Sequence, residues 1–414
     1  MRRFSAALAV VLFLSSCSAK AMGWRDAPSL PSPRWFHAAA ATANGQVFAF
    51  GGYVMNEGRR EFGQKRFSID IFDPGKRSWR RGPDVPGYRV RGVREHARRD
   101  LGGATTWVTE SGESTGDPPP YETPNGTADH RGRVYWFGRI APVYYDSLAA
   151  KWDQKPSAIS FSRQGERPGA PLPHWEGTIA RYDRYAAATA AASDGRIYLI
   201  GGMGSQNENR GKRDEMLDSV EIYDPETNDW SEAPPLAKKR QQHAAVFGRN
   251  GKLYVFGGCA CRGGYSWDGN EYSQRDDLLE QLEQRRSVKE VEVYDPAAKT
   301  WTLAAPMPTP RQLLAAALGA DGRIYVIGGS RDYGSPGTDL VEVYDPASNR
   351  WSEGPPLHIA RYGHAAATAP DGRIWVIGGM GTSAGALNPL RLIPNEATRG
   401  GPLASVEVLE TGAR

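Results

Sequence analysis

The sequence predicts an all-β fold assembled from one repeated four-stranded unit, and three observations carry that reading. A Trp, an Arg ten residues later and a Gly-Gly pair seventeen residues after the Arg recur as Trp24/Arg34/Gly51-Gly52, Trp230/Arg240/Gly257-Gly258, Trp301/Arg311/Gly328-Gly329 and Trp351/Arg361/Gly378-Gly379. Arg184 with Gly201-Gly202 keeps the longer spacing, and Trp79 with Arg89 keeps the shorter. An aromatic-Asp pair, its Asp six residues before a Trp, appears five times: Phe72-Asp73, Tyr145-Asp146, Tyr223-Asp224, Tyr294-Asp295 and Tyr344-Asp345. Asn44-Gly45, Asp194-Gly195, Asn250-Gly251, Asp321-Gly322 and Asp371-Gly372 each separate two apolar runs, as tight hairpin turns do. Self-similarity at a period of roughly 50 to 78 residues is the mark of a repeat architecture.

Each element of the unit follows from its residues. Strand a is small and apolar, as in His364 to Ala369. Strand b is a continuous apolar run, Arg373-Ile374-Trp375-Val376-Ile377, which suits a strand covered on both faces. The Gly-Gly that ends it suits a close approach of backbones, where a side chain would not fit. A variable segment leads to strand c, such as Val341-Glu342-Val343-Tyr344, and a turn at Asp345-Pro346 leads to strand d at Arg350-Trp351-Ser352.

The Gly-Gly, the spaced aromatic-Asp and the Trp resemble the kelch motif over nearly all of the chain after residue 23. That resemblance implies the four-stranded blades of a β-propeller. Five blades carry Gly-Gly, and Val134-Tyr135-Trp136-Phe137-Gly138-Arg139 is a degenerate copy, giving a six-bladed ring over 23–414. The last copy has a strand c at Ser405 to Leu409 but no Trp strand after it. Gly23-Trp24-Arg25-Asp26-Ala27-Pro28 matches Arg350 to Pro355, so the N-terminal strand is expected to complete the C-terminal blade and remove its exposed edge. Blade 2 departs from the pattern between Arg89 and Val134, with Arg91, Arg94, Arg98 and Arg99 and a Pro118-Pro119-Pro120 loop; Gly103 to Thr109 is the candidate for its strand a.

At the N-terminus, Arg2-Arg3 precedes an apolar stretch, Ala6 to Leu14, too short to span a bilayer. Leu14-Ser15-Ser16-Cys17 resembles a bacterial lipobox. It implies a signal peptide over 1–16, a lipidated Cys17, a tether over 17–22 and a place in the cell envelope. Ser18, by resemblance to Gram-negative lipoproteins, suggests the outer membrane. An ordinary cleaved signal with a chance Cys is the alternative. The net charge of +4 includes Arg2 and Arg3 and is too small to argue for nucleic acid. Cys259 and Cys261, in Cys-Ala-Cys, are candidates for a local disulfide, ahead of free thiols and ahead of a metal, since no second Cys pair or nearby His completes a ligand set.

In an antiparallel blade the a–b and c–d turns share one face, and the b–c loops and d–a links share the other. The length variation lies on the second, at 53–68, 203–218, 259–288, 330–339, 380–404 and 153–183, which makes it the expected binding face, with the insertion near 110–128 as the one that could fall on the other face. Strand a is innermost, so Arg34, Arg89, Arg184, Arg240, Arg311 and Arg361 are expected to ring the channel mouth. There they would draw an anionic ligand, as arginines do in kelch domains that take acidic peptides. The competing reading pairs each Arg with a strand-c carboxylate between blades: Glu221, Glu292, Glu342 or Glu407. His37, His243 and His364 follow three residues after an Arg and would approach the channel, as ligand contacts or as packed, hydrogen-bonded strand residues. Ser273 to Glu283 reads as a short helix over the blades, and Tyr265, Trp267 and Tyr272 could stack on a sugar or anchor the loop.

Two functions fit. One is a non-catalytic binding module, anchored to the membrane, for a carbohydrate, an anionic small molecule or an acidic peptide, with no cofactor. The other follows from a weaker resemblance to N-acetylneuraminate epimerase, a mutarotase, whose chemistry needs an acid and a base across an anomeric centre. Glu57, Glu61, Asp214, Glu215 and Glu271 are loop carboxylates available for it. Tyr362, His364 and Asp371-Gly372-Arg373 resemble the galactose oxidase propeller. Phe36, Gln242 and Gly363, rather than Tyr, precede the three histidines, which argues against a radical-copper site.

Overall fold

The computed structural model describes residues 23–54, 64–65, 68–84, 89–90, 94–99, 105–110, 114–115, 125–129, 131–137, 142–154, 182–206, 215–260, 266–267, 272–273, 287–332, 335–381 and 401–412. Every regular element among them is a β-strand. Six antiparallel four-stranded sheets form the blades, each ordered a-b-c-d. Strands a to d are Ala38–Ala41, Val47–Phe50, Ser68–Asp73 and Ser78–Asp84 in blade 1. In blade 2 they are Asn125–Ala128, Arg133–Phe137, Pro142–Asp146 and Lys151–Gln154. Blade 3 uses Ala188–Ala191, Ile197–Ile200, Val220–Asp224 and Asp229–Ala233. Blade 4 uses Ala244–Phe247, Leu253–Phe256, Val291–Asp295 and Thr300–Ala304. Blade 5 uses Ala315–Leu318, Ile324–Ile327, Val341–Asp345 and Arg350–Glu353.

Blade 6 takes strands a to c from Ala365–Thr368, Arg373–Ile377 and Val406–Glu410, and strand d from the other end of the chain, Trp24–Ala27. Trp24 pairs with Leu409 and Ala27 with Val406. The a strands of successive blades adjoin one another around the ring, and the series returns from blade 6 to blade 1.

The apolar core is divided among the blade interfaces. Six buried clusters occur among the described residues, one between each neighbouring pair of blades. Side chains on a strand alternate between faces, so strand b feeds two interfaces at once. Phe48 and Phe50 pack toward blade 2 with Val134 and Tyr145, whereas Val47 and Ala49 pack toward blade 6 with Trp375 and Ile377. Strand b is therefore buried along its whole length in blades 1, 3, 4 and 5, and this is why it reads as an unbroken apolar run.

In blades 1, 4, 5 and 6 the strand-d Trp ties its wedge to the one before it, whereas the buried Trp230 indole N–H of blade 3 finds no acceptor among the described residues. In those four blades the indole Nε1 donates to a backbone carbonyl just past strand d of the preceding blade: Trp24 to Pro355, Trp79 to Pro28, Trp301 to Pro234 and Trp351 to Ala305, at 2.7–2.9 Å. The ring packs on the aromatic of the Asp pair, with centroids 5.0–5.5 Å apart in blades 1, 3, 4 and 5. The Asp that follows this aromatic accepts from backbone N–H groups of its own c–d turn, as Asp295 does from Ala297 and Ala298.

Blade 2 corrects one expectation. Its strand a is Asn125–Ala128, not Gly103 to Thr109. Thr105–Glu110 pairs instead with Arg94–Arg99 in a separate two-stranded sheet. Gly126 is small for a reason: a Cβ there would lie 2.4 Å from the Phe50 ring and 2.5 Å from the Tyr135 carbonyl. Residues 1–22, with Cys17, and 274–286, where the helix was expected, lie outside the described residues.

Trp24 is 5% exposed and seals the ring, so Trp24→Ala should cost about 3–5 kcal/mol in denaturant unfolding. Trp24→Phe, which loses chiefly the indole hydrogen bond, should cost about 1 kcal/mol. Equal and small losses for both variants would show that the N-terminal strand does not close the fold.

Candidate functional site

The seventeen-residue spacing is the arc of an extended hairpin. The residue after each Arg pairs with the residue after each Gly-Gly: Trp35 with Tyr53, Tyr185 with Met203, Gln241 with Cys259, Gln312 with Ser330 and Tyr362 with Met380. A fixed a–b turn at one end and a fixed pair at the other leave no freedom in the length between. The long b–c loops begin where these pairs end, on the face opposite the tight turns.

The repeated Arg does not present its charge at that face. Arg34, Arg240, Arg311 and Arg361 are fully buried, and Arg184 is 6% exposed. Each guanidinium meets a strand-c carboxylate of its own blade: Arg34 with Asp70, Arg184 with Glu221, Arg240 with Glu292, Arg311 with Glu342 at 2.8 Å and Arg361 with Glu407 at 2.5 Å. Nη1 also donates to the carbonyl of the first Gly of the pair, at 2.6–3.2 Å in all five blades. A buried cation must be paired, and here the partner is internal. The expected anion-binding rim is therefore not formed by these five residues, and the pairing is within a blade rather than between blades. Arg89 begins a two-residue strand paired with Ser114–Thr115; its side chain lies outside the description.

Backbone geometry explains the glycines. Both members of every pair have positive φ, 54–69° at the first and 81–97° at the second. A Cβ on Gly202 would lie 2.6 Å from the Tyr185 carbonyl. The second Gly N–H donates to the carbonyl of the next blade's Arg: Gly202 to Arg240, Gly258 to Arg311, Gly329 to Arg361 and Gly379 to Arg34. Two residues after each Arg, Phe36, Ala186, Gln242, Leu313 and Gly363 also have positive φ, 49–58°. Their backbones link blade to blade, with N–H groups of Phe36, Gly363, Leu313 and Gln242 donating to carbonyls of Gly363, Leu313, Gln242 and Ala186. Because these five side chains share no chemistry, the sequence carried no sign of this collar.

His37, His243 and His364 are buried at blade interfaces instead of lining the channel. Each ring edge lies against the first Gly of the preceding blade: Cε1 of His37 at Gly378, of His243 at Gly201 and of His364 at Gly328. Neither ring nitrogen of any of the three completes a hydrogen bond, although the Ile200 and Ile327 backbones lie near His243 and His364. Burial, and then the neighbouring arginines, hold His243 and His364 down to about 3 and His37 well below its usual value. Leu314 holds the same place in blade 5, its Cδ2 at Gly257, so an apolar group also serves.

What the loop face does offer at the mouth is aromatic. Trp35 and Tyr53 stack with centroids 5.9 Å apart and planes 28° apart, and Phe36 meets Tyr53 edge-on at 6.4 Å. All three rings are partly exposed. Phe36 leans over Gly363, where a Cβ would come within 2.7 Å of its ring. Below the mouth, strand a contributes small partly exposed residues, Ala39, Thr189, Ala316 and Ala366 among them. Trp267 pairs with Tyr272 in a short ladder of the blade-4 loop, while Tyr265 lies outside the described residues. Of the loop carboxylates, Glu215 is exposed, and Glu57, Glu61, Asp214 and Glu271 lie outside the described residues. Cys259 is buried and disulfide-bonded; Cys261 lies outside the described residues. Among the described residues no group of three or more His, Cys, Asp or Glu could hold a metal ion.

Comparison with known proteins agrees with the blade geometry. Residues 186–391 match the KLHDC2/KLHL20/DRC7 Kelch-repeats domain, and residues 34–86 match the Kelch motif. Kelch repeat and BTB domain-containing protein 12 of Danio rerio is 29% identical over 159 residues, 37% of this chain and 23% of that protein. The N-acetylneuraminate epimerases of Shigella sonnei (strain Ss046) and Escherichia coli (strain K12) are each 25% identical over 223 residues, 51% of this chain and 55% of theirs. The matched region thus spans about half the length of the epimerases.

Two outcomes test the site's physics. Arg361→Met strands the buried Glu407 and should cost about 3–5 kcal/mol, while Arg361→Met with Glu407→Leu should recover most of it. A double variant as unstable as the single would contradict the lock. The histidines protonate more readily unfolded, near pH 6.5, than folded, so the unfolded chain binds the extra protons as pH falls. Stability should therefore be full above about pH 6.5 and decline toward pH 3, by about 1.4 kcal/mol per pH unit per histidine. His243→Leu should flatten that slope by one histidine's share in pH-dependent urea unfolding.

Proposed function

Because the chain belongs to the kelch-repeat family, we propose that it is a lipid-anchored, extracytoplasmic binding propeller that takes a carbohydrate on its loop face. The Trp35–Tyr53–Phe36 cluster carries this reading. Aromatic faces give a sugar ring's C–H surface a broad apolar contact at low entropic cost, and the cluster stands beside a mouth floored by small side chains. An acidic ligand is less favoured, because five of the six arginines expected to draw it already hold carboxylates. Lipobox residues Leu14 to Cys17 supply the anchoring half of the proposal.

The similarity to N-acetylneuraminate epimerases supports a second reading, a sugar mutarotase. Such chemistry needs a protonated and an unprotonated group across the anomeric carbon. The three buried histidines are not suited to it, since their rings pack against glycines and face no carboxylate partner. Loop carboxylates such as Glu215 would have to supply both roles.

A thermal-shift panel of neutral sugars, uronic acids, sialic acid and acidic peptides separates the ligand classes. Sugars should raise the melting temperature and acidic peptides should not. Trp35→Ala should weaken sugar binding about tenfold, or about 1.4 kcal/mol, and leave the unliganded melting temperature nearly unchanged. Stabilisation by acidic peptides alone would overturn the carbohydrate reading. Anomer exchange followed by NMR in the presence of a bound sugar decides between receptor and mutarotase.

A further inference from the structure

We propose that the tight-turn face of the propeller rests toward the lipid headgroups, so that the loop face opens away from the bilayer. The inference rests on the lipid-anchor reading of Cys17 and adds to it an orientation that only the topology supplies. Strand d of blade 6 is the first strand of the chain, and its register fixes which end of the blade it enters. Trp24 pairs with Leu409, at the end of strand c that runs into the tight-turn face. Two residues beyond, the Thr411 hydroxyl donates to the Gly372 carbonyl in the a–b turn of blade 6 at 2.9 Å and accepts from Ala320 N–H in the a–b turn of blade 5 at 2.7 Å. Arg25 reaches Glu410 at 3.2 Å on the same rim.

The other end of that strand goes the opposite way. Past Ala27, Leu30 N–H donates to the Ala404 carbonyl and Arg34 N–H to the Leu403 carbonyl, beside the Gly378-Gly379 pair and the long b–c loop. The chain thus enters at the tight turns and leaves at the loops.

Six residue steps separate Cys17 from Gly23. Fully extended, they reach about 20 Å at ~3.3–3.6 Å per residue. A blade from Arg323 to the Ser330 bridge is itself roughly 23 Å tall at ~3.3 Å per residue. Even at full extension, a tether of about 20 Å from Cys17 falls short of the roughly 23 Å blade and cannot carry the chain past the rim to lay the loop face on the membrane. It leaves the tight-turn face next to the headgroups. That face also bears Leu148, 77% exposed at the tip of the blade-2 c–d turn, one of two large apolar side chains so exposed among the described residues. The partner is a lipid surface, held by the acyl chains and touched by this face, and the loop face stays open to ligands in the surrounding medium.

The test uses the full lipidated chain in vesicles of phosphatidylethanolamine and phosphatidylglycerol carrying a nitroxide on the headgroup. A thiol-reactive fluorophore is placed at Leu148→Cys on the tight-turn face or at Arg331→Cys on the loop face, both exposed positions. Quenching several-fold stronger at 148 than at 331 is the expected result. Equal quenching, or stronger quenching at 331, in protein that floats with vesicles overturns the orientation and leaves the anchor standing. A Cys17→Ser chain that floats with vesicles as well as the unaltered chain overturns the anchor itself, and the orientation with it.

Discussion

The fold depends on one buried arrangement, an Arg placed where two blades and three strands meet. Its guanidinium holds the strand-c carboxylate and the first Gly carbonyl of its own blade, as Arg311 holds Glu342 and Gly328. Its backbone carbonyl takes the N–H of the preceding blade's second Gly, as that of Arg311 takes Gly258. One residue thus fixes the blade internally and fixes its neighbour's position. Lys could not replace it, since a point charge lacks the planar fork that reaches carboxylate and carbonyl together. The burial of that charge also sets the electrostatics of the mouth: five of the repeated cations are neutralised below it, and the described residues at the rim include the Trp35–Tyr53–Phe36 aromatic cluster.

The glycines, the collar and the histidines follow from the same close approach of blades. Where the preceding blade's Gly leaves room, the side chain three residues after the Arg fills it, whether His or Leu. A neutral imidazole fits that space at neutral pH and an imidazolium does not, which couples ring stability to acidity. The strand-d Trp performs the matching task at the outer edge, and in blade 6 the residue that performs it comes from the opposite end of the chain.

Much of this was legible in the residues. The spacing of Trp24, Arg34 and Gly51-Gly52 reported a hairpin of fixed length, and the match of Gly23 to Pro28 with Arg350 to Pro355 reported the closing strand. The role of the arginines was ambiguous because both readings placed the same residue near the mouth. The recurrence of Glu221, Glu292, Glu342 and Glu407 was the signal that separated them, and Asp70 hid its membership by being one methylene shorter. Strand a of blade 2 was illegible because Asn125–Ala128 has no Arg before it and no Gly-Gly after its partner strand. The collar could not be read at all, since left-handed backbone at Phe36, Gln242 and Leu313 is imposed by the packing of blades rather than by those residue types.

Amide hydrogen exchange tests most directly whether the ring is one fastened unit. The inter-blade donors Gly202, Gly258, Gly329 and Gly379 should exchange as slowly as the strand-b amides of Ile324–Ile327, through global unfolding alone. Exchange of these glycine amides near unprotected rates, with strand b still protected, would mean that the blades open independently and that the arginine lock does not hold neighbours together.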